Sequence, residues 1–98
     1  MQNPANKYGI SPELLERIIG LFRQFKVEKA VMFGSRARGD FTDASDIGIA
    51  FWGKVDEPKL WLAVEQLPTT HKIDLVNYDT LANGSLKQNI LRDAVSMI

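Results

Sequence analysis

The stretch Lys29-Ala30-Val31-Met32-Phe33-Gly34-Ser35-Arg36-Ala37-Arg38-Gly39-Asp40 changes character at Gly34. A short apolar run stops there, as a buried strand stops at a turn, and mostly small, charged or turn-forming residues follow as far as Ser45. The next run, Asp46-Ile47-Gly48-Ile49-Ala50-Phe51-Trp52, alternates: Ile47, Ile49 and Phe51 share one face, and Asp46, Gly48 and Ala50 the other. That second face reads as too small and polar to be a core. Two strands with a glycine-led turn between them, flanked by helical periodicity, make this an α/β chain.

Upstream, Ser11-Pro12-Glu13 starts a helix: a capping hydroxyl, a proline suited to the first helical position, and an acid that complements the dipole. Leu14, Leu15, Ile18, Ile19, Leu21, Phe22 and Phe25 give it one broad apolar face. Residues 1–10 are polar around Pro4 and Gly9 and read as a flexible arm, leaving 11–98 as a single domain. Downstream, Pro58 to Leu67 predicts an amphipathic helix ended by Pro68, with Trp61 in the core, and residues 72–77 predict a third strand. After the Asn83-Gly84 turn, Ser85 with Gln88 forms a capping box for a last helix whose apolar face is Leu86, Ile90, Leu91, Ala94 and Val95. If the residues after Gly34 supply a short helix, the order is α-β-α-β-α-β-α.

The 98 residues carry 12 Lys+Arg against 12 Asp+Glu, so no excess of positive charge exists for broad capture of nucleic acid or an anionic membrane. An anion site must therefore be local. The absence of cysteine excludes disulfides, thiolate zinc sites and cysteine nucleophiles. No stretch has a signal peptide's or a membrane span's pattern, and a cytoplasmic location is the expectation. A chain this short buries about two-thirds of its unfolded surface, a modest core that predicts dependence on a partner or on oligomerisation.

The chemistry gathers at the end of the first strand. Gly34 lets backbone approach a ligand closely, and Ser35 offers a hydroxyl beside N–H groups at the start of a helical turn, a setting that suits phosphate oxygens. Arg36 and Arg38 could pair with those oxygens. Asp46 and Asp74 stand in apolar strands, where a carboxylate is costly unless paired or bound to metal. Carboxylates from neighbouring strands beside a phosphate loop suit Mg²⁺, which prefers oxygen ligands and bridges carboxylates to substrate phosphates.

Gly34-Ser35-Arg36-Ala37-Arg38-Gly39-Asp40 leading to Ser45-Asp46-Ile47-Gly48-Ile49-Ala50, with Asp74 later, resembles the minimal branch of the nucleotidyltransferase superfamily that includes DNA polymerase β. The resemblance runs from about residue 11 to the end. It implies the nucleotidyltransferase fold, a small mixed sheet packed by helices. It further implies that Gly34 and Ser35 hold the β- and γ-phosphates of a nucleoside triphosphate, ATP foremost. Asp46 and Asp74 would be the catalytic carboxylates and ligands of Mg²⁺ or Mn²⁺. The reaction implied is in-line attack of a hydroxyl on the α-phosphorus, with pyrophosphate leaving. Proteins of this kind are commonly antitoxins paired with a helical HEPN protein, which could supply that hydroxyl from a tyrosine.

One position departs from the pattern. The second carboxylate of Asp-x-Asp should stand at residue 48, where this chain has Gly48, and a strand glycine offers no packing reason for the exchange. Two functions follow as expectations: nucleotidyl transfer to a hydroxyl acceptor, or a catalytically impaired nucleotide-binding antitoxin or regulatory subunit that acts by protein–protein binding. Asp40 and Asp43 read as turn formers, Lys72 as solvated, and His71 as a surface residue without a role.

Overall fold

A computed structural model describes residues 8–98. Helix α1 (Pro12–Gln24) leads into strand β1 (Lys29–Phe33), a single turn of helix α2 (Ser35–Arg38) and strand β2 (Ile47–Trp52). Helix α3 (Glu57–Glu65), strand β3 (Ile73–Asn77), a 3₁₀ turn (Tyr78–Thr80), helix α4 (Gly84–Asp93) and strand β4 (Val95–Ser96) complete the order. The sheet runs β3-β2-β1-β4, with β1 antiparallel to β2 and β4 and β3 parallel to β2. This is the expected mixed sheet and helix order, with β4 added at one edge. Among the described residues no helix is long and apolar enough to cross a membrane.

Ser11 caps α1, its hydroxyl accepting from the Leu14 N–H at 3.2 Å. Leu14, Ile18 and Phe22 then deliver one buried stripe, as the heptad-like spacing requires. That stripe and α3's Leu60 and Val64 cover the face formed by Ala30, Met32, Ile47, Ile49, Phe51 and Leu75. The opposite face is not the solvated surface that its small residues suggest. Val31 and Ala50 are buried there beneath Ile90 of α4, with Trp52, Tyr78, Leu81 and Leu86 packed around them. Small residues on that face let a helix lie close, which alternation alone does not reveal.

Several local expectations are corrected. Residues 1–7 of the predicted arm lie outside the described residues, but Ile10 is 1% exposed and belongs to the main core. Asn83, not Ser85, caps α4, its side chain accepting from the Leu86 N–H at 3.0 Å. Helix α4 stops at Asp93, so Ala94 is exposed and Val95 pairs as a strand with Met32; Leu91, expected on the buried face, is 58% exposed. Helix α3 ends at Glu65, three residues before Pro68, and Trp61 is 37% exposed rather than in the core.

The end of α4 is tied to α2 by one buried carboxylate. Asp93 accepts from Arg92 Nε at 2.9 Å and from Arg38 Nη1 at 2.8 Å, and its side chain is 3% exposed. The Arg92 hydrogen bond, helped by Arg38, lowers its pKa below the ordinary 3.8, although burial opposes this. A carboxylate lowered on folding contributes stability that is present above its unfolded pKa and is lost as pH falls through its folded value. Asp93→Asn should therefore lower the urea midpoint at pH 7. The gap from the unsubstituted chain should close in titrations carried below pH about 4; a gap independent of pH would remove the ion pair from the account.

Candidate nucleotide and metal site

Strand register assembles the site. Phe33 pairs with Gly48, and Gly48 pairs with Asp74, so these three residues form one row across β1, β2 and β3, on the same face of the sheet as Val31 and Ala50. The glycine-led turn begins one residue beyond Phe33. Gly34 has φ +86°, a conformation that L side chains rarely adopt, and it caps α2 at the rim of the row. The first turn of any helix leaves leading N–H groups without intrahelical partners, so α2 offers donors there.

Asp46 lies just before β2, where the Ile47 N–H bonds the Lys72 carbonyl at 2.8 Å. Two residues along and one strand across, its α-carbon stands about 8 Å from that of Asp74 on spacing alone. The two carboxylates thus come from neighbouring strands, as the sequence suggests, although Asp46 stands just ahead of its strand rather than in it, the two strands are parallel, and neither carboxylate is buried. Both are exposed, Asp74 on the edge strand, so no desolvation penalty demands a metal. Among the described residues neither side chain has a hydrogen-bond or ion-pair partner, whereas Asp56, Asp79 and Asp93 all have structural ones.

Two arginines expected at the phosphates divide. Arg38 is 41% exposed at its side chain and is held by Asp40 at 3.3 Å and Asp93 at 2.8 Å, both of which raise its pKa. Arg36 is corrected: it is 1% exposed, and its guanidinium is turned into the protein. Nη1 donates to the carbonyls of Tyr8 at 2.9 Å and Gly9 at 3.1 Å. Nε donates to Ser45 at 3.1 Å, while Nη2 lies 3.4 Å from the carbonyls of Thr42 and Asp43 and from His71 Nδ1. No N–H of that fork remains for a phosphate. His71, given no role from sequence, belongs to this cluster. A guanidinium has no sequence signature that separates a phosphate clamp from a loop staple.

Gly48 has the packing reason that its sequence seemed to lack. A Cβ built on it would meet the Phe33 carbonyl oxygen at 2.8 Å and two atoms of the Phe33 ring at 3.2 Å. The neighbouring strand's backbone occupies the room a side chain would need.

Two uncommitted carboxylates beside the Gly34–Ser35 turn fit one Mg²⁺, which commonly takes one or two carboxylates together with substrate phosphates. They do not fit a two-metal centre bridged by a third carboxylate, because among the described residues no group of three acidic, histidine or cysteine side chains converges.

The family model for "Polymerase beta, Nucleotidyltransferase" matches residues 16–98. The chain belongs to the DNA polymerase β-like nucleotidyltransferase family. Solved structures agree with that placement. A toxin–antitoxin structure with AMP-PNP is 26% identical, covering 86% of this chain and 72% of that one at a TM-score of 0.70. A mutant of the MntA–HpeT toxin–antitoxin pair, 23% identical over 86% of this chain and 71% of that one, has the same fold at a TM-score of 0.68. No curated protein matches the sequence significantly.

The contact at Gly48 predicts an asymmetric pair of substitutions. Gly48→Ala should cost about 1–3 kcal/mol by urea unfolding, as overpacking does. Gly20→Ala, in α1 with nothing within 4 Å of the new methyl, should be neutral or stabilise by about 0.5–1 kcal/mol. A tolerated Gly48→Ala would show that Phe33 yields freely.

Proposed function

We propose that this nucleotidyltransferase-family domain binds a nucleoside triphosphate, ATP foremost, with one divalent cation, and acts as the antitoxin-type partner of a helical HEPN protein. The observation that carries the reading is the Phe33–Gly48–Asp74 row set against the Gly34–Ser35 turn. It brings the N–H groups at the start of α2 and two free carboxylates to one end of the strands, which supports a phosphate and cation site there. The neighbour solved with AMP-PNP in a toxin–antitoxin structure supports both the nucleotide and the partner.

In this reading Gly34 and Ser35 hold the terminal phosphates with backbone N–H groups and the Ser35 hydroxyl. Asp46 and Asp74 hold Mg²⁺, or Mn²⁺, against those phosphates; when bound, the ion neutralises phosphate charge and orients the chain of phosphates. Arg38 stands at the far end of α2, where it lends positive charge. A partner hydroxyl, such as a tyrosine's, approaching beside Asp74 would be the acceptor of nucleotidyl transfer. Transfer through two ions needs the carboxylate that position 48 lacks, and the Phe33 backbone closes the space where it would stand. The packing thus favours the binding role: a nucleotide-loaded subunit that occupies its toxin, impaired in transfer.

Calorimetry with AMP-PNP and Mg²⁺ checks the binding. The unsubstituted chain should bind, and Asp46→Ala and Asp74→Ala should each weaken binding at least about tenfold, the loss of roughly 1.4 kcal/mol. With α-labelled ATP and the neighbouring gene's product, the chain should leave the partner unlabelled. Labelling that Asp74→Ala abolishes would instead establish an active transferase, and no AMP-PNP binding would overturn the proposal.

A further inference from the structure

Among the described residues Arg36 is the largest fully buried side chain, and no carboxylate pairs with its charge. A buried cation is expensive, and arginine cannot discharge the cost by losing its proton. What it obtains in return is backbone. Its three nitrogens hold carbonyls from residues 8 and 9, ahead of α1, and from residues 42, 43 and 45, in the loop that delivers Asp46. The Nε bond lands on the carbonyl of Ser45, which is the peptide unit shared with Asp46. The guanidinium also lies 5.0 Å from the Phe41 ring centroid, so the loop packs on it as well as bonding to it.

An independent feature shows that room for this guanidinium is built into the chain. Gly9 has φ +66°, and a Cβ there would come within 2.6 Å of Arg36 Nη1 and 2.5 Å of the Phe41 ring. The backbone ahead of α1 approaches the guanidinium more closely than any side-chain-bearing residue allows.

We infer that Arg36 is a positioning residue for the metal-binding carboxylate of Asp46: buried, untouched by ligand, it fixes the backbone of residues 41–46 so that Asp46 meets the cation beside the Gly34–Ser35 turn. The inference rests on the proposed role of Asp46. It assigns to the first arginine of Gly34-Ser35-Arg36-Ala37-Arg38 a task separate from phosphate binding, and to Gly9 and Phe41 a share in it.

Arg36→Lys and Gly9→Ala attack the contact from its two sides. The first keeps the charge but loses the fork, and the second keeps the arginine but takes its space. AMP-PNP affinity is measured by calorimetry with Mg²⁺ and with EDTA, alongside amide hydrogen exchange. Both variants should lose at least tenfold in affinity with Mg²⁺ and change less than twofold in EDTA, while the amides of residues 42–47 exchange at least tenfold faster and those of α1 do not. Should Arg36→Lys be too unstable to purify, Phe41→Leu, which removes only the ring, carries the same comparison. The inference is overturned if the Mg²⁺-dependent gain survives in the variants, or if α1 and the loop lose protection together, which marks a general structural role. If the unsubstituted chain itself gains nothing from Mg²⁺, the metal-binding reading of Asp46 fails and takes the inference with it, whatever the loop amides do.

Discussion

The structure depends on the close approach of β1 and β2 where Phe33 faces Gly48. Only a residue without a side chain lets the Phe33 carbonyl stand where a Cβ would be 2.8 Å away. That pair belongs to the register of the central strands, and the register places the Gly34 turn at one end of the row and Asp74 at the other. The same contact removes the carboxylate the family pattern expects. Packing and the family pattern thus meet at one position, and this contact is what the proposed binding role rests on.

Around that row the site is held by two arginines that do opposite things with the same group. Arg36 is spent on backbone carbonyls and has nothing to offer a ligand. Arg38, in the same helical turn, keeps one side toward solvent while Asp93 anchors it to the end of α4. Helix α4 therefore covers the second face of the sheet and is also tied to α2 through the Arg38–Asp93 pair.

Much of this was legible in the sequence where local chemistry decides alone. The α1 stripe, the short helix after Gly34 and the neighbouring strands of Asp46 and Asp74 follow from periodicity and turn residues, while the family was legible only as a resemblance carried by the Gly34-Ser35 and Asp46 motif with Asp74. What was illegible depends on long-range contact. Nothing near Arg36 announces carbonyls 27 and 28 residues upstream. Ala50 looks solvent-facing until α4 is laid on it, and Val95 continues a helical pattern until β1 claims it as a strand. Asp74 reads as a buried strand carboxylate because the sequence does not say that β3 is an edge.

In the proposed function one divalent cation and the triphosphate meet at the Gly34–Ser35 turn between Asp46 and Asp74. Mn²⁺ reports this directly, because its unpaired electrons broaden nearby amide resonances. With AMP-PNP bound, substoichiometric Mn²⁺ should broaden the amides of residues 34–35, 46–48 and 73–75 and leave Trp52 and Tyr78, at the far end of the same face, sharp. Broadening centred elsewhere, or none at these residues, would contradict the account.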